Sequence, residues 1–263
     1  MFLLLVSQVF AHMALKVPCP RYNANGVKCP QIPDGESWDW TQVAPIGSAD
    51  EVFQPLCKYT KPFKTPSARW KAGETVTVGF QGAAAHSGGH GEFSISYDNG
   101  KTFMVLQQEL RYMFFGTPTK LTNTPRKLKY SIKLPENLPG SDNAVFAWTW
   151  VNASGNREFY MNCVDVQIIG KAGKITGKEI TVVNYGPYTQ MLPEFYGDYD
   201  TGIDIYSNAR NITVTGPGNE SAFVIMLNPD GAQSEDGKID EQGNRDSDND
   251  DTDDEGRDGE DNN

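Results

Sequence analysis

The apolar and polar positions of this chain alternate in short runs, and no long stretch keeps a helical period. Residues 74–80 and 91–97 place an apolar side chain at every second position, the spacing that lays one face of a strand on a core. Asp98-Asn99-Gly100-Lys101 is a hairpin turn by its Asn-Gly pair, and it leads into an apolar run at 103–106. Further strands are predicted at 127–133, 144–152, 157–161 and 165–169, with a short first strand at 12–18. About seven short strands at this spacing predict an all-β protein, an immunoglobulin- or fibronectin III-like β-sandwich. Residues 19–70 are rich in Pro and Gly and carry Trp38, Trp40 and Trp70, which reads as a long loop region. Beyond 170 the pattern weakens. Strands are expected at 179–183 and 211–214, separated by an aromatic and acidic stretch at 185–206. This part is thin in apolar residues for a core of its own, so it is expected to pack over the sandwich as an arm.

Charge divides the chain further. The 263 residues carry a net charge of −11, but residues 230–263 alone hold 15 acids against three bases. Without that tail the protein is close to neutral, with no basic patch to meet nucleic acid. The tail is expected to be disordered and self-repelling. Its Asp246–Asp251 run does not make a calcium loop, because position six is Asp251 and position twelve Arg257. Nowhere do about 20 apolar residues run together, so no membrane span is expected. At the amino terminus, Phe2-Leu3-Leu4-Leu5-Val6 followed by Val9-Phe10-Ala11 reads as a secretory signal peptide cut after Ala11. The expected organisation is therefore a signal peptide at 1–11, a sandwich at 12–170, an extension at 171–229 and the acidic tail at 230–263. Four Cys suit an oxidising, extracellular or cell-wall setting. They allow three connectivities; the nearness of Cys19 to Cys29 favours that pair and leaves Cys57 with Cys163. Three N-glycosylation sequons lie at Asn152, Asn211 and Asn219.

Candidate chemistry centres on the three His: His12, His86 and His90. Cleavage after Ala11 makes His12 the first residue, so its α-amine and its own ring can chelate together. That amine has a pKa of about 8, and two imidazoles with one amine suit copper, which tolerates tetragonal geometry and stands high in the Irving–Williams order. The third nitrogen must come from His86 or His90. Both sit in Ala84-Ala85-His86-Ser87-Gly88-Gly89-His90-Gly91, where the glycines oppose a helix and suggest a loop. Strand alternation downstream places Glu158, Tyr160 and Asn162 on one face and Arg157, Phe159, Met161 and Cys163 on the other. Read by spacing alone, Tyr160 is better explained as a core aromatic.

His12-Met13, the 85–89 loop, and Ala147-Trp148-Thr149-Trp150 followed by Gly155-Asn156-Arg157-Glu158-Phe159-Tyr160-Met161-Asn162-Cys163 resemble the fungal lytic polysaccharide monooxygenases, and most closely their chitin-active auxiliary activity family eleven. The resemblance runs from about residue 12 to 169. It implies one copper ion, cycling between Cu(I) and Cu(II), held in a histidine brace of the His12 amine, the His12 ring and the His86 ring. It further implies Tyr160 in the axial position and Glu158 orienting an oxygen species. The Cys57–Cys163 pair matches the family's bridge. The implied activity is oxidative cleavage of insoluble chitin or a related β-1,4-glycan by a secreted monomer, using an external electron donor and O2 or H2O2. His90 and Gly91 stand where relatives more often have Ser and Cys, which makes His90 a candidate to compete for the copper or to shuttle protons. Two other readings compete: a non-catalytic histidine-brace copper-binding protein for copper acquisition or transport, and a metal-free cell-wall binder.

Overall fold

A computed structural model describes residues 12–219; the expected signal peptide and the acidic tail lie outside the described residues. Eleven strands and one short helix are formed among them. They are β1 (Met13–Val17), β2 (Gly47–Ser48), β3 (Ala68–Lys71), β4 (Thr75–Gly82), β5 (Gly89–Ser96), β6 (Met104–Glu109), β7 (Lys129–Lys133), β8 (Ser141–Asn152), β9 (Glu158–Ile169), β10 (Gly173–Lys178), α1 (Ile203–Ser207) and β11 (Asn211–Gly216). Alternation decides which face of β4 goes inward: Val76, Val78 and Phe80 are buried while Thr75 and Thr77 are exposed. The strands form a small sheet in the order β1-β4-β7 and a larger one in the order β2-β9-β8-β5-β6, with β3 alongside β9; β10 and β11 pair as a separate ribbon. This is the β-sandwich expected from the strand spacing. Among the described residues no helix is long and apolar enough to cross a membrane.

The larger sheet is buried on both faces. Phe93, Ile95, Phe146, Trp148, Tyr160 and Val164 meet Leu15, Val78 and Phe80 of the small sheet. On the other face Val145, Ala147, Val151, Phe159, Met161 and Cys163 meet Ile180, Val183, Leu192, Phe195 and Tyr199 of the later chain. Double burial explains why β8 and β9 read as near-continuous apolar runs.

The expected strands at 157–161 and 165–169 are one strand, β9. Asn162, a polar residue between them, is satisfied inside the sheet: Leu15 N donates to its Oδ1 at 2.8 Å, and its Nδ2 donates to Gln42 Oε1 at 3.0 Å. The strand expected at 179–183 does not form as a ladder. Glu179 makes one isolated bridge to Met104, and Thr181 N donates instead to the Glu92 carboxylate at 2.7 Å. A buried side chain has taken the place of a neighbouring strand.

The long loop before β3 is fixed by covalent and ionic ties. Cys19 pairs with Cys29 and Cys57 with Cys163, matching the expected connectivity. Arg21, almost wholly buried, reaches Asp165 Oδ1 through both Nε (3.0 Å) and Nη2 (2.6 Å), and Phe63 N donates to the other carboxylate oxygen at 2.8 Å. The first half of the chain is thereby anchored to β9, the strand that begins with Glu158.

Candidate metal centre

β4 hands over to β5 through a tight turn whose backbone is unusual. His86 and Ser87 have φ of 43° and 60°, both in the left-handed region, followed by Gly88 and Gly89 at 107° and 132°. Left-handed non-glycine residues cost about 1–3 kcal/mol each and persist only where the surroundings fix them. Here Gly88 N closes the turn onto Ala85 O (2.8 Å), Ser87 N bonds Thr122 O (2.9 Å), and Ser154 N bonds His86 O (3.1 Å). Gly155 lies against the ring: a Cβ there would stand 3.1 Å from His86 Nδ1, and its φ of 92° suits glycine alone.

His12 arrives from the other sheet. It precedes β1, whose first residue Met13 pairs with Gly82 at the end of β4. A side chain at Gly82 would run into the His12 carbonyl, so glycine at this position lets the two strands meet beside the turn. The His12 and His86 rings stack at 5.2 Å between centroids, and the Tyr160 ring is 5.3 Å from His12. One ligand atom each from His12, His86 and Glu158 lies within 4.8 Å of the others. Tyr160 OH donates to Glu158 Oε2 at 2.6 Å, and Trp150, paired across the sheet with Tyr160, supports its ring at 4.7 Å.

Burial governs the electrostatics. It lowers the pKa of His12, opposed by the Glu158 carboxylate. Burial also lowers that of His86, with the neighbouring His12 adding to the effect. The Tyr160 phenol is raised far above its ordinary value by burial, then by the charge and hydrogen bond of Glu158. Both imidazoles are thus biased to the neutral form that ligates a metal. His86 Nε2 is buried and has no hydrogen-bond partner, an unmet polar atom. Two neutral imidazoles beside a carboxylate and a phenol fit a first-row transition metal, copper included.

Of the residues singled out by sequence, His12, His86, Glu158 and Tyr160 come together; His90 does not. Instead of lying in a loop it belongs to β5, is fully buried, and faces the later chain. Its ring stacks on Phe195 at 4.5 Å and 5°, Arg111 N donates to its Nδ1 (2.9 Å), and its Nε2 meets Thr201 O (3.0 Å). Both nitrogens are engaged on the side of the later chain, away from the cluster. The sequons separate as well. Asn152 is fully buried, its Nδ2 donating to Ser154 O and Asn156 O. Asn219 is buried, its Nδ2 bonded to Ile168 O and Asp142. Neither amide has room for a sugar in this fold, whereas Asn211 is exposed. Sequence reasoning missed Gly82 and Gly155, whose importance is a close approach that only folded geometry reveals.

Comparison with known proteins shows the family. The family described as "Lytic polysaccharide mono-oxygenase, cellulose-degrading" matches residues 18–166. AA11 family lytic polysaccharide monooxygenase A of Aspergillus fumigatus is 38% identical over 173 residues, 66% of this chain and 72% of that protein. An AA11 family lytic polysaccharide monooxygenase of Aspergillus oryzae is 31% identical over 110 residues, 39% of this chain and 26% of that longer protein. Among solved structures, a cellulose-active polysaccharide monooxygenase from M. thermophila aligns over 72% of this chain and 90% of its own, at 16% identity and a TM-score of 0.41. The chain belongs to the lytic polysaccharide monooxygenases, a family of copper-dependent enzymes that cleave polysaccharides oxidatively.

Proposed function

We propose that the mature, secreted chain begins at His12 and would hold one copper ion through the His12 amine, the His12 ring and the His86 ring, with Tyr160 beside the site. The observation that carries this is the convergence of His12, His86 and Glu158 within 4.8 Å, with His86 Nε2 buried and unpartnered. When bound and reduced by an external donor, copper supplies the oxidising chemistry that O2 or H2O2 alone does not deliver to a glycosidic C–H. The protein's own groups do the rest. The two histidines are kept neutral by burial and so present lone pairs rather than protons. Tyr160 holds one carboxylate oxygen of Glu158 at 2.6 Å, which fixes the plane of that carboxylate. Glu158 is thereby set to orient the oxygen co-substrate and to pass a proton at its remaining oxygen.

Chitin is the proposed substrate, in keeping with the auxiliary activity family eleven character of the motif. The matched family carries a cellulose-degrading description, so the two polymers are to be assayed side by side. Mass spectrometry should find His12 at the amino terminus of secreted protein. Copper-loaded enzyme with a reductant should release oxidised chito-oligosaccharides. Glu158→Gln should keep copper affinity within about threefold while losing at least tenfold in rate, as expected for a group that acts on protons and oxygen rather than on metal binding. Tight copper binding with no oxidised product from either polymer would move the protein to the role of a non-catalytic copper carrier.

A further inference from the structure

The match to the family ends at residue 166, yet the chain beyond it reaches back to the metal cluster. Tyr199 is buried, and its hydroxyl donates to the Ser87 carbonyl at 2.8 Å. Ser87 is the second of the two left-handed residues in the His86 turn. The other hydrogen bonds that hold this turn come from residues 85–88, 111, 113, 122–123 and 153–154, all within the matched region. The Tyr199 bond comes from outside it and from a side chain.

Tyr199 is itself firmly placed. Phe195 N and Tyr196 N both donate to Ala153 O at 3.0 Å, next to the residue whose N–H holds His86 O. Arg157 Nη1 joins Pro193 O (3.1 Å) to Asn152 O (3.0 Å). Asp200 pairs with Arg111 at 2.6 Å, and Thr201 O meets His90 Nε2 at 3.0 Å. The buried His90 ring, stacked on Phe195, is thus a fastener for the segment that presents Tyr199. The Tyr112 ring backs the phenol at 4.7 Å.

We infer that Tyr199 is a positioning residue for His86: by holding the Ser87 carbonyl it fixes the left-handed turn that aims the His86 ring at His12 and Glu158. The extension is then a working part of the metal face as well as a cover for the opposite side of the sheet. Burial raises the Tyr199 phenol to about 12, so it remains a donor across neutral pH. This inference rests on the copper reading of the cluster, and its test separates the two.

Tyr199→Phe removes one hydroxyl and keeps the ring. Tyr185→Phe is the matched control, because Tyr185 lies in the same stretch and its hydroxyl donates to Gln54 O at 2.6 Å, away from the turn. In the copper-free full chain, amide exchange at residues 85–88 should quicken in Tyr199→Phe and stay at the wild-type rate in Tyr185→Phe. In the mature copper-loaded protein, Tyr199→Phe should weaken Cu(II) binding about tenfold, the range seen when a group behind a metal ligand is lost. Its copper hyperfine spectrum should change, with both readouts unaltered in the control. Unchanged exchange and spectrum in Tyr199→Phe overturn the inference, as do equal changes in both variants, which would mean general loosening. Should wild type take up no copper, the copper reading fails, and exchange at 85–88 still decides whether Tyr199 holds the turn.

Discussion

At the scale of single residues, the most informative positions are two buried ionisable groups on one face of β5. His90 and Glu92 point away from the metal cluster toward the later chain, and both are fully buried. Burial drives them to opposite ends of the same pH range. His90 falls to about 4, and Glu92 rises to about 7 despite hydrogen bonds from Thr181 N and Gln108. Lys178 opposes the rise of Glu92, while Arg111 and Asp200 act on His90 in opposing directions. A folded-state pKa below the ordinary 6.5 means that His90 contributes stability above that pH and loses it as pH falls toward 4. Glu92, raised above 4.5, contributes its stability at acid pH and loses it as pH rises through about 7. Each effect is on the order of 3 kcal/mol, and between pH 4.5 and 6.5 they largely cancel. Single variants should expose the hidden slopes. The stability of Glu92→Gln relative to wild type should rise with pH across this window, and that of His90→Gln should fall. Urea melts at four or five pH values would show it; two flat differences would mean that neither group is displaced from its ordinary pKa. None of this was legible in the sequence, where His90 looked like a second metal-loop histidine. Its glycine neighbours allow a loop, but pairing of Gly89 and His90 with Asn152 and Val151 of β8 makes it a strand.

Elements were read most accurately where the core imposes a period, and least where pairing alone defines the strand. Alternation located β4, β5 and the two faces of β9, so Glu158 and Tyr160 were correctly placed together on one face. The two- to six-residue strands β2, β3 and β10 were missed, because Gly47–Ser48 or Gly173–Lys178 carry no apolar alternation and exist through their partners. Residues 19–70 were read as a loop, although β2 lies within them and β3 begins at Ala68, and the principal tie of this stretch was not foreseen. Nothing in the spacing of Arg21 and Asp165, 144 residues apart, announces a buried ion pair. Removing one partner leaves the other charge buried and uncompensated, a loss of about 3–5 kcal/mol. Arg21→Met should therefore lower the melting temperature by on the order of 10 °C. Arg21→Met with Asp165→Leu should lose less than the sum of the two single variants, giving a measurable coupling in a double-mutant cycle. A single-variant loss below about 1 kcal/mol would show that the disulfides, not this pair, anchor the loop to β9.

For the whole molecule, the question is what the chain beyond residue 170 contributes. By sequence it looked like an arm with too little apolar content to fold alone, and the structure supplies the reason it is ordered: it borrows the outer face of the large sheet. Val145, Ala147, Val151, Phe159, Met161 and Cys163 have their apolar contacts on that side from Ile180, Val183, Leu192, Phe195 and Tyr199 as well as from Ile46, Cys57 and Phe103. Apolar patches larger than a few hundred Å² are rare on soluble monomers. A chain ending at Gly170 would present such a patch, leave His90 without Thr201 and Phe195, and leave the Glu92 carboxylate without Thr181 N. Such a truncation should bind a hydrophobic dye, elute as aggregate in size-exclusion chromatography and lose its near-ultraviolet circular dichroism. Phe195→Ala in the full chain is the graded version: a buried aromatic is lost, at about 3–5 kcal/mol, while the rest of the face stays covered. That variant should remain folded at low temperature and melt well below wild type. If the truncated chain instead stays monomeric with native circular dichroism, the sandwich is self-sufficient and the later chain is an ornament on it. If it fails as expected, the smallest folding unit of this enzyme extends past the last residue of the family match, and the metal face and its supporting extension fold as one cooperative body.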